Sequence, residues 1–348
     1  MVSTPRSESS SVPDDGPQPR PNDWVTRAFL ALALPPLVFG LGIALLYMAA
    51  FFAFNNLTGT MQGFGDLSRW WLELVNASIA ALLLTANAVG HRAILADLHQ
   101  LRPLARCSDT EFAELVWAAA TPPRSSWISA AAAGLAFGTL LVIFDPVVRS
   151  GAEASVRDPV FLWAWLRNVL VSWAVSRTIW VEFVSLRGHS RLSAWLEVDL
   201  LDPGRLAPFA RNGQRSALVW VLFSVLFSLF WLEDRAGTLN PLLMVYIAGV
   251  VTYDFWLPLR QTNRIVVSAK RAELERVNAE LRRAIQGEPA PGGHTLSDWA
   301  AYHTVISSVR EWPISAPGLL RFALYVGLGV GSWLGGALVE RLLGVALD

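Results

Sequence analysis

Apolar residues gather into seven long stretches, separated by segments that hold most of the charge. At 1.5 Å per residue, about 20 helical residues cross a hydrocarbon core roughly 30 Å thick. The stretches cover about 28–54, 70–90, 127–144, 160–186, 217–232, 240–257 and 319–339. They predict an all-α, polytopic helical membrane protein with about seven transmembrane helices and cytoplasmic helical loops. Pro35 and Pro36 fall inside the first stretch, where neighbouring helices can satisfy the freed carbonyls, so a kink is expected there rather than a break. The apolar run begins too late and runs too long for a signal peptide, which makes it an anchor.

Four regions follow. Residues 1–25, rich in Ser, Pro and Asp, read as a disordered cytoplasmic tail. Residues 26–259 form a six-helix membrane bundle with inner loops at 91–125 and 187–215. Residues 260–316 form a cytoplasmic helical region, and 317–348 a seventh membrane helix. Beyond 339, Glu340 and Arg341 mark the outer interface, with an interfacial helix after them.

Basic residues decide the orientation. Twenty positive charges fall in the N-terminal tail and in the loops after stretches two, four and six, against five on the opposite side. The N-terminus is therefore expected inside a plasma membrane and the C-terminus outside, with only short external loops. The formal net charge is zero, which gives no electrostatic case for nucleic acid. One lysine against 27 arginines suggests a GC-rich bacterial genome.

In the cytoplasmic region, Val267, Leu274 and Leu281 recur every seven residues, so 264–286 reads either as a short coiled coil or as a helix packed on the other loops. The former makes 261–286 a candidate site for a cytoplasmic protein partner or a second subunit. A second, amphipathic helix is expected over 295–312, capped by Thr295 with Asp298 three residues on. Its apolar stripe comprises Trp299, Tyr302, Val305, Ile306 and Val309, facing either the lipid surface or protein. Gly90, His91, Ile94, Ala96 and Leu98 have similar counterparts 98 residues later in Gly188, His189, Leu192, Ala194 and Leu196. A parallel repeat of that kind occurs in transporters.

The fourth stretch carries the best candidate chemistry. Arg177 and Arg167 lie deep within it, where a charge costs several kcal/mol unless it faces protein or water. Trp173 and Trp180 are spaced to sandwich the Arg177 guanidinium. Asn168, Ser172 and Ser176 form a polar stripe, and Glu73, Asn76, Glu182 and Asp254 are candidate counter-groups. Two readings follow: an anion or proton path with Arg177 as its binding site, or a buried ion pair locking the bundle. In the second, Arg167 snorkels outwards and Glu182 inwards. Gly327, Gly331 and Gly335 stand four apart on one helical face suited to close packing within the chain or in a homo-oligomer.

Other chemistries lack support. Cys107, the lone cysteine, rules out an internal disulfide and reads as an ordinary loop residue. The five histidines are scattered on the predicted inner side without ligand spacing, so no metal or other cofactor is expected. No P-loop, GxSxG or GxGD motif is present, leaving an enzyme as the least supported class. A channel or transporter for ions or small solutes is the leading expectation, and a membrane scaffold or signalling subunit the alternative.

Overall fold

The computed structural model describes residues 21–60, 67–143, 158–230, 239–286 and 295–309, with Leu320, Ala323, Leu324 and Gly327. Apart from short connections these residues are helical, with no strand among them and one isolated bridge, Ala105 to Leu196. The helices are α1 (Trp24–Leu32), α2 (Pro36–Thr58), α3 (Leu67–His99), α4 (Asp109–Ala120), α5 (Arg124–Val142), α6 (Pro159–Ser193), α7 (Ala207–Ser228), α8 (Leu239–Ile285) and α9 (Leu296–Ser308).

Among the described residues, four stretches are long and apolar enough to cross a membrane: α2, α3 from Trp70 onward, Asp109–Val142 (which carries α5) and α6. The expectation of seven is met only in part. α7 uses its first ten residues, APFARNGQRS, at the polar end, leaving twelve apolar ones that rise about 18 Å. The seventh stretch lies outside the described residues except for the four named above, so Gly331 and Gly335 are outside them too. Gly327 is helical, with open space where a Cβ would project.

Three boundaries differ from expectation. The Pro35–Pro36 pair breaks the first stretch instead of kinking it. Pro36 opens α2, Pro35 caps it, and Ala33 ends α1 in the left-handed region at φ 50°. Neither proline has an N–H to donate, and each pushes the residue before it out of helical geometry. The supposed tail also reaches into the fold, because Asp23 caps α1 and is buried. Finally, no boundary falls near 259: α8 runs unbroken for 47 residues through Pro258.

The packing forms two main layers. In one, Val75, Ile79 and Leu83 of α3 meet Ala174 of α6 and Trp220 and Phe223 of α7. In the other, the predicted inner loops condense into a single core that includes Leu98, Phe112, Val116, Leu192, Phe209 and Ile306. Cys107 belongs to this core. Antiparallel bonds join the two loops, Arg106 N–H to the Trp195 carbonyl at 2.9 Å and Glu197 N–H to the Leu104 carbonyl at 2.8 Å. α7 begins 98 residues after α4, but α3 and α6 start 92 residues apart and end 94 apart, so the offset is not kept through the fold. Outside both layers, Leu37, Leu41, Leu45 and Leu46 of α2 are exposed, as suits a lipid-facing surface.

α9 has the expected capping box between Thr295 and Asp298, but it ends at Ser308, short of 312. Of its predicted stripe, Ile306 is buried, Tyr302 and Val309 pack on the loop core, and Val305 is exposed. α9 lies along α8, where Val266 and Val277 are wholly buried and Leu274 joins the same core. Lys270 donates to the Val309 carbonyl at 2.9 Å, and the Tyr302 hydroxyl donates to Glu273 at 2.9 Å. The α8 stripe is thus occupied, at least in part, within the chain.

α5 packs on α6 at backbone contact. A Cβ on Gly134 would lie 2.5 Å from the Trp173 Cα, and one on Gly138 2.5 Å from the Val169 Cα. Overpacking of this kind costs about 1–3 kcal/mol or more. Gly134→Leu and Gly138→Leu should each lower the melting temperature in detergent, while Gly42→Leu, which meets open space, leaves it unchanged. A second expectation concerns the α8–α9 contact. Arg276, and then Tyr302, hold the Glu273 carboxyl below its ordinary range. The ionised form is thus the one the fold favours, and its contribution is present at neutral pH and fades as pH falls through that lowered value. Protection of the α9 amides, taken relative to their intrinsic exchange rate at each pH, should fall on acidification, and Glu273→Gln should remove that pH dependence.

Candidate functional site

α3 and α6 run side by side in the same direction, as two contacts in register show. Near their first turns Arg167 Nη1 donates to Glu73 Oε1 at 2.6 Å, and further along Asn87 Nδ2 donates to Thr178 Oγ1 at 3.0 Å. Each helix carries its polar groups on the face turned to the other or to a third helix. Facing protein in this way spares such side chains the cost of meeting hydrocarbon.

The first polar cluster joins α2, α3 and α6. Arg167 and Glu73 are 4% and 1% exposed, and the second Glu73 oxygen accepts the Tyr47 hydroxyl at 2.7 Å. Arg167 therefore does not snorkel outwards. It is fixed by the counter-charge that sequence put forward. Asn76 and Asn168 donate to carbonyls of their own helices, Leu72 and Ala164, at 2.8 Å. Ser172 is buried and Ser176 half-buried.

The second cluster surrounds Arg177, which is wholly enclosed. Its partner is none of the acids proposed from sequence. Nη2 donates to Asp23 Oδ2, from the cap of α1. The same oxygen accepts the Thr26 N–H and the Thr26 hydroxyl, both at 2.8 Å. One carboxylate oxygen therefore serves three donors, while Nε and Nη1 of Arg177 have no hydrogen-bond partner. The expected tryptophan sandwich is also revised. The guanidinium lies 5.1 Å from the Trp127 ring centre and 6.0 Å from that of Trp173, while Trp180 packs edge-on against Phe183. Spacing along one helix could not reveal Trp127, which comes from α5.

Beside Arg177 is a small polar cavity bordered by Asn22, Asp23, Asn87, His91 and Thr121. It leaves about 10 Å³ for the centre of a water molecule, enough for one. His91 Nδ1 pairs with the Ala120 carbonyl at 2.8 Å, and Thr121 Oγ1 is buried without a partner. No cluster of metal-ligating side chains occurs among the described residues.

Glu182 does not snorkel either. It accepts the Ser216 hydroxyl at 2.5 Å and the Trp220 indole N–H at 2.8 Å, tying α6 to α7. Asp97 of α3 takes Arg211 at 3.0 Å and also Arg215, both from the start of α7. Asp254 is in α8, and its side chain lies outside the described residues.

Removing one partner of a buried pair strands the other charge, at a cost of about 3–5 kcal/mol. Asp23→Ala should therefore lower the melting temperature strongly, because it also removes the α1 cap. Arg177→Met should cost less, since Asp23 keeps its Thr26 bonds. The double variant Asp23→Ala/Arg177→Met should melt above Asp23→Ala alone, as read by thermal unfolding in detergent.

Compared with protein families, with curated proteins and with solved structures, the chain matches none of them.

Proposed function

We propose that this chain is a multi-pass protein of a bacterial plasma membrane that carries or conducts a small ion or solute, with Arg177 as an anion-binding group. One observation carries the reading: a wholly buried guanidinium in a span-forming helix keeps two donors without partners beside a polar cavity. A group that served only to lock the bundle would be expected to have its donors satisfied, since orphaned buried donors are costly. The proposed topology has seven crossings with the N-terminus inside, supported by the twenty-to-five distribution of positive charge and by the four apolar stretches above.

A scaffold is the second reading, favoured by the condensed loop core and by the long α8, whose Arg264, Arg271 and Arg282 are exposed. In that reading α8 recruits a cytoplasmic partner, or a second copy of the chain.

Flux through proteoliposomes separates the two. Anion flux that falls at least tenfold in Arg177→Met, in protein whose thermal transition shows it folded at the assay temperature, is the expected result. Absence of flux, with a protein partner lost when Arg264, Arg271 and Arg282 are changed to Glu, would establish the scaffold instead.

A further inference from the structure

We infer that the Arg177 pocket is a carboxylate site whose resting occupant is the chain's own Asp23, and that an incoming carboxylate displaces Asp23 and lifts α1 away. The inference rests on Arg177 as an anion-binding group and adds the class of anion and the gate.

The bonding around Asp23 supplies the first argument. Arg177 engages Asp23 through Nη2 alone, and the oxygen it contacts is shared with both Thr26 donors. A guanidinium offers donors in a planar fork that a carboxylate matches with two parallel bonds. Nε and Nη1 are both unpartnered, so a free carboxylate can pair with Nη2 and one of them together. Asp23 is therefore a one-point ligand in a place built for a two-point one. A single-atom anion meets the fork with one acceptor and forms two bent bonds in place of two parallel ones.

Space supplies the second argument. About 10 Å³ admits a water but no carboxylate, so Asp23 must leave before a ligand can enter. On leaving, Asp23 keeps its bonds to Thr26, so α1 moves as a capped helix, and the incoming carboxylate replaces the charge at Arg177.

The hinge supplies the third. Ala33 at φ 50° and the Pro35–Pro36 pair separate α1 from α2. α1 buries only Val25, Thr26 and Phe29. These side chains, the Asp23–Arg177 pair, the stack of Trp24 on Trp173 and the Arg92–Phe29 contact hold nine residues in all, a short element suited to opening. The exchange conserves local charge, since one carboxylate replaces another at Arg177 and Asp23 moves out into solvent.

The test uses full-length protein in detergent with Cys107→Ala and Val25→Cys. The new thiol is buried while α1 is docked, so its maleimide labelling rate reports lifting. Acetate should speed labelling several-fold, with chloride at equal ionic strength having little effect. The acetate response should vanish in Arg177→Met and shrink in Arg177→Lys, which keeps the charge but loses the fork. Acceleration by chloride equal to that by acetate, no acceleration by either, or an undiminished acetate response in the Arg177 variants would overturn the inference. Acetate-dependent labelling without flux in liposomes would reject transport and leave the gated site standing.

Discussion

An ionised side chain buried away from water must find its opposite charge, and that demand organises this bundle. Two arginines on α6 are enclosed, and each reaches a different helix for its carboxylate: Arg167 to Glu73 on α3, Arg177 to Asp23 at the head of α1. Helices in lipid gain little from apolar burial against one another, because the tails around them are just as apolar. Such pairs, with Tyr47, Asn87 and Glu182 bonding across further contacts, specify which helices are neighbours and in what register. Close approach at Gly134 and Gly138 then supplies the dispersion contacts that charge alone does not.

The two arginine sites differ in how completely they are satisfied. Glu73 uses both oxygens, one on Arg167 and one on Tyr47, and knits three helices together. Asp23 spends a single oxygen on Arg177 and on its own helix cap, leaving part of the guanidinium idle. The first arrangement is that of a structural fastening. The second stores binding capacity, and it is located at the head of the shortest described α-helix, the one set off by a left-handed residue and two prolines.

Much of this was legible in the chain itself. Arg167 and Arg177 stood out because charge inside an apolar run demands an explanation, and Glu73 stood out as a counter-charge by the same logic. Asp23 did not, since it is 154 residues from Arg177 and follows a Pro- and Ser-rich stretch that resembles solvated chain. Its one local signal was an Asp immediately before an apolar run, the pattern of a helix cap. Trp127 was missed for a related reason: periodicity identifies neighbours on one helix and says nothing of those supplied by another. The prolines were read as tolerable inside a span, yet two in succession remove two donors and constrain two preceding residues, which is enough to end a helix. Loop condensation was illegible because Leu98, Phe112, Leu192 and Ile306 come from separate segments whose apolar patterns are individually short.

The unbroken α8 has a mechanical consequence. Forty-seven residues at 1.5 Å make a rod about 70 Å long, more than twice the thickness of a bilayer's hydrocarbon core. A shaft of that length is a lever wherever it moves as one piece, and Pro258, which removes one backbone hydrogen bond from its interior, is where it bends most readily. A tilt of about 10° about its midpoint swings either tip through roughly 6 Å, a distance comparable to one helical turn. Val266 and Leu274 couple the shaft to the loop core, and α9 is strapped along it, so rotation of either end is felt by both. The same length that gives the leverage also makes the loop core and α9 the places where any tilt of the shaft meets resistance.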